Sequence, residues 1–70
     1  MTKTFTRLNQ SGQLTHKGEL IKIIKFQKDG TKRTFFKAEI NGVLIGKTLF
    51  ARMYDAENYG MKYIDWKQSQ

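Results

Sequence analysis

The chain has 70 residues with no cysteine and no proline, and 13 Lys or Arg against 6 Asp or Glu give a formal net charge of +7. A chain this short makes one domain, residues 1–70, with one small core, and without cysteine it has neither a disulfide nor a thiolate metal site to stabilise it. No window approaches the roughly 18 apolar residues of a spanning helix. The opening residues MTKTFTRLNQSG lack a signal peptide's apolar region, so the expectation is a cytoplasmic protein with no membrane partner.

In chain order, Thr4, Phe5, Thr6 and Leu8 suit a short strand or a loose arm, and residues 9–12 read as a break. Residues 13–17 are ambiguous; one solution extends the following strand backwards past a bulge at Gly18. The next stretch is clearer. Asp29-Gly30 and Asn41-Gly42 each lie between β-branched and aromatic residues, the strongest short hairpin signal there is. Both pairs suit a two-residue turn in which each central residue has φ > 0. An antiparallel meander of residues 19–27, 32–40 and 43–50 follows.

Two-residue turns fix a register. Ile40 then faces Val43, Ala38 faces Ile45 and Phe36 faces Lys47; across the other hairpin Gln27 faces Lys32, Ile23 faces Phe36 and Ile21 faces Ala38. Directly paired residues share a face. One face gathers Ile21, Ile23, Phe36, Ala38, Ile40, Val43, Ile45 and Leu49, and this is the predicted core face. The other gathers Lys22, Ile24, Phe26, Arg33, Phe35, Lys37, Leu44 and Thr48. It mixes cations with apolar groups.

After Phe50 the period-2 pattern stops. In residues 51–66, Met53, Ala56, Gly60 and Tyr63 fall at helical spacing with Tyr59 and Ile64 beside them. Asp55 and Glu57 near the start and Lys62 near the end suit the helix dipole. Gly60 lowers helix propensity by about 1 kcal/mol relative to Ala, which predicts close packing on the sheet as compensation. The alternative is a turn at residues 58–60 followed by a last strand. The predicted fold is α+β, a three- or four-stranded antiparallel meander packed against one C-terminal helix. If residues 1–17 instead cover Ile24, Phe26, Phe35 and Leu44 as a second core, a small barrel of the SH3 or OB kind results.

The charge is unevenly placed. Residues 1–18 hold Lys3, Arg7 and Lys17 and no acid. Residues 19–50 hold Lys22, Lys25, Lys28, Lys32, Arg33, Lys37 and Lys47 against Glu19, Asp29 and Glu39. Residues 51–70 balance Arg52, Lys62 and Lys67 against Asp55, Glu57 and Asp65. A basic sheet with a neutral backing element points to a polyanion. Lysines on strands also discourage edge pairing, and charge of this size favours solubility.

The run KDGTKRTFFKAEINGVLIGKTLFARMYDAENYGMKYI resembles the layout of the small sheet-plus-helix DNA-binding domains of phage integrases and plant AP2-type factors. In its helix, Asp55-Ala56-Glu57 followed by Tyr63-Ile64 is similar to the acidic-Ala-acidic run of those domains. The resemblance covers about half the chain. It departs from the family pattern where Arg52 or Met53 stands in place of a Ser or Thr cap. It implies that a basic three-stranded sheet enters the major groove, with Lys22, Lys25, Arg33, Phe35, Lys37 and Lys47 facing nucleic acid. Arg33, the sole guanidinium of the meander, is the candidate for a bidentate contact to guanine or phosphate. Lys22 and Lys37, opposite each other in the predicted register, are candidates to neutralise phosphates. Lys25 and Lys47 fall on the core side near the sheet's ends, where long stems can reach outward. Phe26 and Phe35 would suit base stacking on a single strand.

Enzyme readings find little support. His16 is the sole histidine, acids are few, and Gly42, Gly46 and Gly60 match no phosphate-loop spacing. Neither a catalytic role nor a cofactor or metal is predicted. The predicted function is nucleic-acid binding, DNA before RNA, in an accessory or regulatory role for a phage or other mobile element. The competing expectation is a phage-type protein-binding module that inhibits or redirects a host enzyme or nuclease complex in the host cytoplasm. Its anchors would be Phe35, Tyr54, Tyr59, Tyr63 and Trp66, since aromatics dominate interface hot spots. For Trp66 itself, closure of the core is the first expectation and a partner contact the second.

Overall fold

A computed structural model describes residues 5–70; the expectations for Lys3 and Thr4 lie outside them. The elements are β1 (Phe5–His16), β2 (Glu19–Lys28), β3 (Thr34–Ile40), β4 (Val43–Leu44) and α1 (Met53–Gln68). The strands form one antiparallel sheet in the order β1-β2-β3-β4. Its two edges do not meet, so the fold is α+β and not a barrel. No helix among the described residues is long and apolar enough to cross a membrane.

Asn41 (φ 54°) and Gly42 (φ 80°) make the expected two-residue turn, with Ile40 paired to Val43. A second such turn sits where the sequence suggested a bulge. Lys17 (φ 51°) and Gly18 (φ 83°) join His16 to Glu19. Residues 9–12 are not a break but continue β1, with register shifts between Arg7 and Gln10 and between Gln10 and Gly12. Those irregularities hide the strand from a period-2 reading, because each extra residue reverses the alternation.

Asp29-Gly30 does not form a two-residue turn. Residues 29–32 make a longer loop in which Lys28 N–H donates to the Arg33 carbonyl at 3.0 Å and Thr31 N–H to the Lys28 carbonyl at 3.1 Å. The Thr31 hydroxyl also donates to the Lys28 carbonyl (3.1 Å) and accepts from Arg33 N–H (3.2 Å). These side-chain bonds favour the wider loop. The register moves by two, pairing Gln27 with Thr34, Ile23 with Ala38 and Ile21 with Ile40. A shift of two preserves every side chain's face, so between Ile21–Gln27 and Thr34–Ile40 the predicted division survives while the predicted partners do not. Arg33 leaves the strand and becomes a loop residue.

The last strand is shorter than residues 43–50. After Leu44, Ile45 N–H still donates to the Ala38 carbonyl at 3.0 Å. Gly46, at φ 78°, then turns the chain out of the ladder. The chain returns at Phe50, which exchanges both backbone hydrogen bonds with Phe36 (2.7 and 2.8 Å). Phe36 therefore faces Phe50 and not Lys47. Val43, predicted in the core, is 62% exposed; it opens a two-residue edge strand with a neighbour on one side only.

α1 runs two residues later at each end than residues 51–66. Arg52 precedes it in extended conformation, and no side chain caps it. Ala56, Gly60 and Ile64, spaced by four, are its buried residues. They close the core over Ile21, Ile23, Ala38, Ile40 and Ile45, with Leu14, Phe36, Phe50, Met53, Met61 and Tyr63 around the rim. Burying side chains of this size contributes about 1.5–3 kcal/mol each.

Candidate nucleic-acid interface

β2 is central to the face opposite α1. Its outward residues Lys22, Ile24 and Phe26 pair across to Glu39, Lys37 and Phe35 of β3, and to Gln13, Gln10 and Arg7 of β1. Lys22 thus faces Glu39, correcting the predicted Lys22–Lys37 opposition, while Lys37 lies beside Ile24. At one end of the face Phe26 and Phe35 are direct partners. The Phe5 ring meets Phe35 edge-to-face at 5.5 Å, with planes at 90°. Ile24 is only 3% exposed although it points away from the helix. The outer face therefore has a small apolar centre of its own, supported from β1 without closing a barrel.

Glu39 is the residue that the sequence division overlooked, although its parity with Phe35 and Lys37 already placed it on this face. It is 8% exposed, and Arg7 Nη2 donates to its Oε2 at 3.0 Å. Since β2 separates β1 from β3, this ion pair spans the outer side of β2. Arg7 is thus a second guanidinium on the sheet, beside Arg33 in its loop. Reading it from sequence fails because the bulges after Arg7 scramble the alternation that would assign its face.

Two further acids, Asp65 of the helix and Glu19 of β2, are engaged at the β1–β2 turn. Asp65 accepts from Lys17 Nζ at 2.8 Å and lies 2.9 Å from His16 Nε2. These bonds, that of Lys17 first and that of His16 second, hold its carboxyl below the usual carboxylate range. Glu19 takes Lys67 Nζ at 3.4 Å and Gln68 Nε2 at 3.2 Å. Both acids tie the β1–β2 turn to the last turns of α1. The charge at that end is therefore balanced.

The opposite end of β2 is different. Lys28, Lys32 and Arg33 project around the β2–β3 loop, where Asp29 is the one nearby acid and accepts from the Thr6 hydroxyl at 2.7 Å. Lys22, Lys25, Lys28, Lys32, Arg33 and Lys37 have no anionic partner among the described residues. Lys28, Lys32 and Arg33 cluster at this end, Lys22 and Lys37 lie along the outer face, and Lys25 lies on the helix side.

Of the six predicted contact residues, Lys22, Phe35 and Lys37 lie on the outer face and Arg33 at its end. Lys25 does not share that face. It pairs with Phe36 on the helix side and lines a hollow with Arg7, Gln10, Ser11 and Met53, where α1 begins. Lys47 sits in the exposed loop 46–49 beside β4. Lys28 and Lys32, not among the six, are exposed at the end of β2 and in the β2–β3 loop; the predicted strands 19–27 and 32–40 left Lys28 in the turn and put Lys32 at a strand start. Phe35 is half-buried against Phe5. Among the described residues no group of three His, Cys, Asp or Glu is placed to hold a metal ion. Comparison of the chain with family models, with characterised proteins and with solved structures finds no match.

Proposed function

We propose that this protein binds nucleic acid, double-stranded DNA first, in an accessory or regulatory role. The surface used is the outer sheet face together with the β2–β3 loop. One observation carries this reading: the acids Glu19, Glu39 and Asp65 are each held in an ion pair, while Lys22, Lys28, Lys32, Arg33 and Lys37 are unpaired among the described residues. A surface that keeps its cations free meets a polyanion without first breaking internal salt bridges.

Duplex is favoured over single strand by the aromatic arrangement. A single-strand platform needs free ring faces for stacking, whereas Phe5 already covers Phe35 edge-to-face at 5.5 Å. The rings support the face, and the cations around them do the contacting. Two adjacent strands at a spacing of about 4.8 Å make a ribbon of the width that a major groove about 12 Å wide admits. The resemblance to integrase-type and AP2-type domains points the same way. In this reading Arg33 and the lysines of the loop contact phosphates or guanine edges, and Lys22 and Lys37 contact phosphates.

The test is fluorescence anisotropy of a labelled duplex and a labelled single strand, titrated at several salt concentrations. Arg33→Ala and Lys37→Ala are measured beside the unsubstituted protein. A log–log salt slope of about −3 or steeper, flattened by about one in each variant, is the expected result. Absence of binding at low salt by folded protein overturns the proposal and redirects the search to a protein partner.

A further inference from the structure

The side of α1 turned away from the sheet carries a stripe that the core does not use. Asp55, Tyr59, Lys62 and Trp66 follow one another at steps of four, three and four residues, the spacing of a helix-pairing seam. All four are exposed. Trp66, 57% exposed, does not close the core as expected from the sequence. Its ring leans on Tyr63 at 5.8 Å, and Tyr59 is braced from below by Phe50 at 5.5 Å. Tyr59, Lys62, Tyr63 and Trp66 line a hollow of about 400 Å³. Asp55 and Lys62 make no salt bridge among the described residues, and the Trp66 indole N–H makes no hydrogen bond to another side chain or backbone group there. The stripe therefore presents braced aromatics together with polar groups that have no protein partner among the described residues.

We infer that this stripe pairs with a second copy of the chain, two α1 helices meeting antiparallel across a two-fold axis. The charge pattern selects that occupant and that orientation. Residues 51–70 are formally neutral, whereas the rest of the chain carries the whole +7. The helix side is thus where two copies approach without opposing like charges. An antiparallel pairing centred between Gly60 and Met61 sets Tyr59 against the partner's Lys62, and Asp55 against the partner's Trp66. The axis repeats both contacts. An ammonium then lies against a phenol ring, and a carboxylate accepts from the indole N–H. A parallel pairing would instead stack Lys62 on Lys62 and Asp55 on Asp55. The antiparallel dimer turns its two basic sheet faces outward, in opposite directions. It stands independently of what those faces bind.

Sedimentation equilibrium of the full chain from about 1 μM to 1 mM covers weak and moderate association, and emission from the only tryptophan reports burial of Trp66. The expected result is a monomer-to-dimer transition accompanied by a blue shift. Trp66→Ala and Lys62→Glu should each raise the dissociation constant tenfold or more without changing the far-ultraviolet circular dichroism, and Lys62→Arg should retain the dimer. Lys37→Ala, on the sheet face, should leave it unchanged. A monomer throughout the range overturns the inference, and so does a dimer indifferent to both Trp66→Ala and Lys62→Glu.

Discussion

Replacing Gly60 with alanine sets helix propensity directly against packing. An alanine in place of glycine within a helix gains about 1 kcal/mol, and an exposed site would show that gain as stabilisation. Gly60 is not exposed. A Cβ built there lies 2.9 Å from Ile21 Cγ2, 3.2 Å from Ile21 Cδ1 and 3.4 Å from Ala38 Cβ. The first of these falls roughly 0.6 Å short of a relaxed carbon–carbon contact of about 3.5 Å. Ile21 is fully buried and stiff at χ1 because it is β-branched, and Ala38 has no rotamer to change. The helix must lift, loosening Ala56 and Ile64 from the sheet. Overpacking of this kind costs about 1–3 kcal/mol; taking its upper half for so rigid a neighbour leaves a net loss of about 1–2 kcal/mol.

Urea denaturation followed by circular dichroism gives that difference, and the thermal midpoint should fall by about 4–15 °C for a domain this size. The decisive comparison adds Ile21→Ala, which by itself costs about 2–5 kcal/mol. In that background the two nearest contacts of the new methyl are gone and Ala38 Cβ stands at 3.4 Å, so Gly60→Ala should become stabilising by up to about 1 kcal/mol. Sulfate in the buffer keeps the weaker variants folded. Stabilisation by Gly60→Ala alone, or additivity of the two substitutions within about 0.5 kcal/mol, would refute the close approach as the reason for glycine.

Gly46→Ala should destabilise by about 1–3 kcal/mol, since its φ of 78° disfavours a side chain and a Cβ would meet the Tyr59 ring at 2.7 Å; chemical denaturation measures it, and a neutral result would show that loop 46–49 is not pinned by that ring. Asp65→Asn should lower the thermal midpoint at neutral pH. Because Lys17 and His16 hold the folded Asp65 carboxyl below its ordinary value, the stability it adds is complete above the unfolded pKa near 3.9 and disappears as pH falls through the folded value. The gap between the two proteins should stay constant above about pH 5 and close below about pH 4; a gap persisting at pH 2 contradicts the assignment. Glu39→Gln should lose about 0.5–1 kcal/mol of stability, its partner Arg7 being half exposed. It should also tighten duplex binding at low salt, because an anion leaves the face, and unchanged or weaker binding in the anisotropy assay would argue against that face.

The fold was legible wherever side-chain parity survived local error. The predicted β2–β3 register was wrong by two, yet an even error leaves Ile21, Ile23, Ala38 and Ile40 on the core face, and the helix positions Ala56, Gly60 and Ile64 are in fact the buried ones. Odd errors were the damaging ones. The register shifts of β1 between Arg7 and Gly12 break the alternation, so a strand from Phe5 to His16 looked like an arm, a break and an ambiguous tail. The edge beyond Leu44 failed for another reason. Residues 46–49 leave the ladder at Gly46, whose φ is 78° and which packs against the Tyr59 ring, a contact between residues far apart in sequence. Trp66 failed similarly, because helical spacing alone does not say how far around α1 the sheet reaches.

The acid on an otherwise basic face, Glu39 near the end of β3, is the feature hardest to reconcile with simple charge counting, and the irregularity of β1 explains it. A strand with two register shifts in its middle is a weak member of a ladder, because each shift leaves backbone groups without their regular partners. Arg7 lies just before the first shift, and its guanidinium reaches past β2 to Glu39 on β3. That bond fastens the irregular edge strand to a regular one and roofs Ile24 between them. Glu39 is buried and Arg7 half exposed, so the pair fixes one cation in place while leaving its other N–H groups toward solvent. Glutamine in its place removes the anion from the face and keeps an oxygen that accepts from Arg7, so the strand that borders the face stays in place. The same residue therefore limits attraction for a polyanion and anchors, through Arg7, the strand that borders the surface on which a polyanion would lie.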